Sequence, residues 1–258
     1  STQFRAFSIG QLFNTLLPFR IGELIRSSIL SQKLNISFIY SLSLIVPFLA
    51  WRLATDFLPT RYEGWTQTSY WVTGFIAVGA LFISILIHEL AHSLVARLRG
   101  YRVNEITLFI LGGVSSITSE TSRAKDEFII SVVGPLISLG AGLVFGAFYS
   151  VTYQTNNPIA ALIFYLALIN IVLAAFNIVP AFPLDGGRVL RSAIWALTGS
   201  FVSATNISTR ISQMIGAVLV LIGILEVFQG FLLQGVWTGL IGWFVYRSAT
   251  GIRKEETI

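Results

Sequence analysis

Two histidines occur in this chain of 258 residues, and they stand four apart in His88-Glu89-Leu90-Ala91-His92. On an α-helix, residues i and i+4 share one face about a turn apart, so both imidazoles can reach a single metal ion. Glu89 directly follows the first imidazole, where its carboxylate can poise a water held by that ion. H-E-x-x-H on a helix is a zinc site with the glutamate as general base. The chemistry on offer is metal-assisted hydrolysis. The competing reading is a hydrogen-bonded histidine pair packed in a core, and the pentapeptide alone does not separate the two.

A catalytic zinc takes three protein ligands and keeps a fourth position open. The chain has no cysteine and no third histidine, so the remaining ligand must be an aspartate or a glutamate. Glu105 and Glu120 lie 13 and 28 residues beyond His92, in a polar, basic segment where solvation or pairing with arginine is the expected state. Asp185 is the better candidate. It stands in Phe182-Pro183-Leu184-Asp185-Gly186-Gly187-Arg188, just after a stretch from Phe128 to Leu184 with no charged side chain. A carboxylate buried there is costly unless a cation or a hydrogen-bond network compensates.

The elements that must position these groups are those of a membrane protein. Hydrophobic residues make up 54% of the chain and charged residues 11%, against about 25% charged in a soluble domain; mean hydropathy is +0.77. An ordinary soluble globule is excluded, and an all-α polytopic membrane protein is the fold class expected. The net charge of +5 is read as basic residues gathered in cytoplasmic loops, with no nucleic-acid partner. Six spans are expected, at roughly 36–55, 70–92, 128–151, 158–179, 211–229 and 233–248. With the N-terminus inside and sides alternating, all but Arg52 and Arg61 of the 17 basic residues fall on the inner face. That bias puts both termini in the cytoplasm and the histidines near the cytoplasmic end of the second span. Residues 103–119 do not fit a span. Their Val, Ile, Thr and Phe favour strands, and Gly112-Gly113 breaks the run, so a short re-entrant β-hairpin is expected between the second and third spans. The domain organisation expected is a cytoplasmic amphipathic segment over 1–35, a membrane core over 36–248 and a cytoplasmic tail over 249–258.

Taken together, the motifs resemble the site-2 protease family of intramembrane zinc metalloproteases. The residues that carry the resemblance are His88-Glu89-Leu90-Ala91-His92 and Asn177-Ile178-Val179-Pro180-Ala181-Phe182-Pro183-Leu184-Asp185-Gly186-Gly187-Arg188, with Phe109 to Val114 and Val133-Gly134-Pro135 beside them. It covers the chain from about Trp51 onward; residues 1–35 depart from the family's usual lead-in. The form expected is compact, with neither PDZ nor CBS domains.

The resemblance implies one zinc ion per chain held by His88, His92 and Asp185, with Glu89 as general base and acid. It implies peptide hydrolysis within or near the transmembrane segments of single-pass membrane proteins, in regulated intramembrane proteolysis. It also places Asn177 where it can bind the substrate backbone or the developing oxyanion; a helix-to-helix hydrogen bond is the plainer role. A helical substrate must unwind to expose a scissile bond, and the strand edge near Gly112 and Gly113 could receive it by β-addition; the plainer role is a structural plug. Two rival functions are a catalytically silent family member that binds membrane helices and a transporter with a metal site. Intact His88, Glu89, His92 and Asp185 argue against the first, and the lack of paired broken helices in corresponding halves argues against the second.

Overall fold

The computed structural model describes residues 46–101, 103–109, 112–117 and 121–255. The expected segment 1–35 and residues 36–45 of the expected first span lie outside the described residues. The chain runs through α1 (46–61, with one π turn at Leu53–Phe57), α2 (Gln67–Leu98), β1 (Val103–Phe109), β2 (Gly112–Ile117), α3 (Ala124–Thr152), α4 (Pro158–Asn177), α5 (Asp185–Thr198), α6 (Phe201–Phe228) and α7 (Leu232–Glu255). β1 and β2 pair as a two-stranded sheet.

Among the described residues, α2, α3, α4 and α6 are long and apolar enough to cross a bilayer. Their outer faces leave Ile83, Leu94, Leu143, Phe148 and Val218 exposed, the surface of a helical protein bathed in lipid. The expected span 233–248 falls inside α7, which continues to Glu255 and so takes in most of the expected tail. Local signals set the ends. Asn157 caps α4, its Oδ1 accepting from the Ala160 N–H at 2.9 Å, and Pro158 takes the first helical position, where a missing N–H costs nothing. Gly199, at φ +69°, ends α5 in the left-handed region. Ser200 then caps α6 through the Ser203 N–H.

One boundary differs from the sequence reading in a way that matters. The fifth expected span, 211–229, becomes a helix that starts ten residues earlier, at Phe201. The polar residues Thr205, Ser208, Thr209 and Ser212 are buried. Two of their hydroxyls bond back to the carbonyl one turn earlier, Thr209 to Thr205 and Ser212 to Ser208, both at 2.8 Å.

The chain forms two compact units. The first takes α1, residues 67–83 of α2, 144–152 of α3 and 158–167 of α4. Its core is Ala54, Leu58, Tyr62, Tyr70 and Ala161. There Trp65 stacks between Tyr62 and Tyr70 at centroid distances of 5.3 and 5.4 Å. The second unit takes residues 84–98 of α2, 124–143 of α3, 168–177 of α4, and all of α5 to α7. Within it α6 and α7 form a tight hairpin. A Cβ on Gly216 would fall 2.7 Å from the Gly242 carbonyl oxygen, so glycine is what lets the two backbones touch.

Candidate metal centre

All the groups that meet at the site belong to the second unit. α2 supplies His88 and His92, both buried. Pro180 and Pro183 prevent α4 from continuing, and after a tight turn the chain re-enters a helix at Asp185, the first residue of α5. Gly186 and Gly187 are required there, because a Cβ on Gly187 would lie 2.6 Å from the Phe182 backbone nitrogen.

Asp185 Oδ2 lies 3.1 Å from Nε2 of each histidine. The two Nε2 atoms are 3.3 Å apart. A tetrahedral ion with bonds of about 2.0–2.1 Å separates its ligand atoms by about 3.3 Å, so the triangle has the size such an ion requires. The far side of each ring is also held. His92 Nδ1 sits 2.6 Å from the Ile130 carbonyl oxygen. That oxygen can only accept, so Nδ1 carries the hydrogen and the neutral ring turns its Nε2 lone pair inward. His88 Nδ1 is 2.9 Å from Ser138 Oγ, which can accept in the same way. Inward lone pairs beside a carboxylate oxygen repel unless a cation joins them. Two imidazoles and an ionised carboxylate suit zinc, and outer groups that fix each ring are what metal-binding histidines have.

Between those outer groups lies Gly134. A Cβ there would come within 2.7 Å of His88 Nε2 and closer still to His92 Nε2. Ile130, Gly134 and Ser138 follow one another at four-residue intervals, so one face of α3 backs both rings.

Glu89 is buried on α2 and interacts electrostatically with His92 and Arg188. Asn177 is the last residue of α4; its Nδ2 donates to the Leu173 carbonyl of its own helix at 3.0 Å. Gly112 and Gly113 open β2 and belong to the first unit. The alternative ligand Glu120 lies outside the described residues. Among the described residues, Asp185 is the acidic group that meets both histidines. Glu226, unassigned from sequence, accepts from Gln234 Nε2 at 3.1 Å. Sequence reasoning missed Ser138, Ile130 and Gly134 as parts of the site. Ser131, Gly134 and Ser138, small residues at helical spacing in an apolar span, were the available signal.

The family model for peptidase family M50 matches residues 76–156 and 151–223. Rip3 of Mycobacterium tuberculosis is 36% identical over 220 residues, which is 84% of this chain and 55% of that protein. Zinc metalloprotease MJ0392 of Methanocaldococcus jannaschii is 34% identical over 157 residues, 61% of this chain and 44% of that protein. The chain thus spans about half the length of these relatives. Among solved structures, the site-2 protease from Methanocaldococcus jannaschii superposes with a TM-score of 0.54 at 28% identity, over 81% of this chain and 88% of that one.

Proposed function

The chain belongs to peptidase family M50, and from that premise we propose that it is a zinc-dependent intramembrane endopeptidase. Its substrates are single-pass membrane proteins, cut within or near their transmembrane segments in regulated intramembrane proteolysis. The observation that carries the reading is the convergence of His88, His92 and Asp185 on a protein whose helices α2, α3, α4 and α6 can cross a bilayer. Peptide hydrolysis needs both a site that activates water and a fold that can admit a membrane-embedded substrate.

His88, His92 and Asp185 would hold one zinc ion per chain. When bound, that ion supplies Lewis-acid polarisation of the scissile carbonyl and brings water into its nucleophilic form near neutral pH. The chain's own residues do the rest. Glu89 takes the proton of the attacking water and delivers it to the leaving amine. Ser138 and the Ile130 carbonyl keep the two rings in the tautomer that points Nε2 inward. Asn177, released from its bond to Leu173, offers an amide to the substrate backbone. The β1–β2 sheet acts as a re-entrant hairpin and offers an edge to an extended substrate. The topology is six spans with both termini and the active site toward the cytoplasm.

The deciding experiment combines zinc content with cleavage. Purified wild type should carry about one zinc per chain and Asp185→Ala far less. Glu89→Gln should keep the zinc and lose cleavage of a reconstituted single-pass substrate. Zinc undiminished in Asp185→Ala would overturn the ligand set. Cleavage undiminished in Glu89→Gln would overturn the assignment of the base.

A further inference from the structure

We propose that Glu127 is a positioning residue for the metal centre: through Arg191 it sets α5, and with it Asp185, against the face of α3 that orients both histidines. The inference rests on the metal-binding reading above. Glu127 stands in the first turn of α3 and is completely buried. Its Oε1 accepts from Arg191 Nε at 2.9 Å and also from Arg191 Nη2, and Arg188 Nε lies 3.9 Å away. Both arginines are on α5, three and six residues after Asp185. The Arg191 guanidinium is further held between two rings, with its Cζ 5.3 Å from the Phe182 centroid and 4.7 Å from that of Phe201.

Helical geometry connects this cluster to the ligands. At about 100° per residue, Glu127, Ile130, Gly134 and Ser138 fall within about 80° of one another on α3. One helix face therefore touches His92 through Ile130, both imidazoles at Gly134, His88 through Ser138, and α5 through Glu127. All three ligands take their position from it.

The required precision shows why such an anchor matters. Metal-ligand distances hold to about ±0.2 Å. A 20° rotation of α5 would carry a side-chain atom about 5–6 Å from its axis through about 2 Å. Asp185 sits at the very start of α5, preceded by a turn, so little of its own helix restrains it. A fully buried carboxylate is a poor way to gain stability, since apolar residues of similar volume often do as well or better. Its advantage is directional: two N–H groups of one rigid guanidinium converge on Oε1, an arrangement a lysine ammonium does not reproduce.

The test uses the full chain in lipid nanodiscs, with Glu127→Leu/Arg191→Met as a double variant and Arg191→Lys, which keeps the charge and removes the fork. Zinc affinity by competition with a chromophoric chelator, the visible spectrum of the cobalt-substituted protein and the melting temperature of the metal-free protein are measured for each. The expected result is a 10- to 100-fold weaker zinc affinity, the range seen when outer partners of metal ligands are lost. A changed cobalt spectrum should accompany it, with the metal-free melting temperature near that of wild type. Wild-type zinc affinity and spectrum in the folded double variant would overturn the proposal. If the double variant does not fold, Arg191→Lys decides: weakened zinc with unchanged melting supports the anchor, and unchanged zinc overturns it. Failure here is distinct from failure of the ligand set, because wild type against Asp185→Ala tests the latter separately.

Discussion

Replacing Gly134 by alanine adds one methyl group, and the structure says where it must go. The new Cβ would fall 2.7 Å from His88 Nε2 and 2.6 Å from His92 Cε1. Comfortable carbon contacts begin at about 3.5 Å, so the rings or the helix must give way by no less than about 1 Å. That is roughly five times the ±0.2 Å tolerance of a metal-ligand bond. Neither ring can turn aside without losing its bond to Ile130 or Ser138. Overpacking of this kind costs about 1–3 kcal/mol in stability, and a 1 Å misplacement of reacting groups can cost about 100-fold in rate. We expect Gly134→Ala to lose most of its zinc, measured by elemental analysis of protein purified from lipid, and at least about 100-fold in cleavage of a single-pass substrate. The control is Gly140→Ala on the same helix, where a Cβ meets nothing within 4 Å; it should keep zinc and activity. Full zinc occupancy and normal cleavage in Gly134→Ala would refute the claim that α3 is fitted against the two rings.

Other perturbations separate the roles within the site. Ser138→Ala should weaken zinc binding by about tenfold, the lower end of the range for an outer partner, as read by chelator competition, while Glu89→Gln leaves zinc content untouched and abolishes cleavage. Asn170→Ala removes the bond from Asn170 Nδ2 to Ser84 Oγ, 3.0 Å long and buried between α4 and α2; the loss should be about 0.6–1.7 kcal/mol, visible as a modest fall in melting temperature with zinc retained. Ser212→Ala removes the acceptor of the Phe182 N–H, a 2.9 Å bond. Leaving that buried donor unpaired should cost about 1–3 kcal/mol, and because it lies in the turn before Asp185, zinc affinity should fall with it.

The helices of the second unit show where a one-dimensional reading succeeds and where it stops. Long uncharged runs give α2, α3 and α4 almost directly, because a span must be apolar over about 20 residues. The start of α6 lies outside the expected span because Arg210 bounds the run poor in charge that begins at Ile211, while in the structure Thr205, Ser208 and Thr209 before it are buried within the helix. Asn177 was legible as a polar group near the site, but its bond back to Leu173 was not, since a side chain's choice between its own helix and a neighbour depends on what the neighbour offers.

For the centre itself, the chain narrows the candidate ligands by scarcity and period. With two histidines four apart and no cysteine, helical geometry points both rings one way, and the cost of an uncompensated carboxylate selects Asp185. Tertiary structure alone decides what makes those residues a site. It brings Ile130 to His92 and Ser138 to His88 across 38 and 50 residues of chain, leaves space at Gly134 for no Cβ, and buries Glu127 against Arg191. The reason is physical: composition and periodicity act along one helix, whereas a ring's tautomer, a missing methyl and a buried charge are fixed by the distance between two.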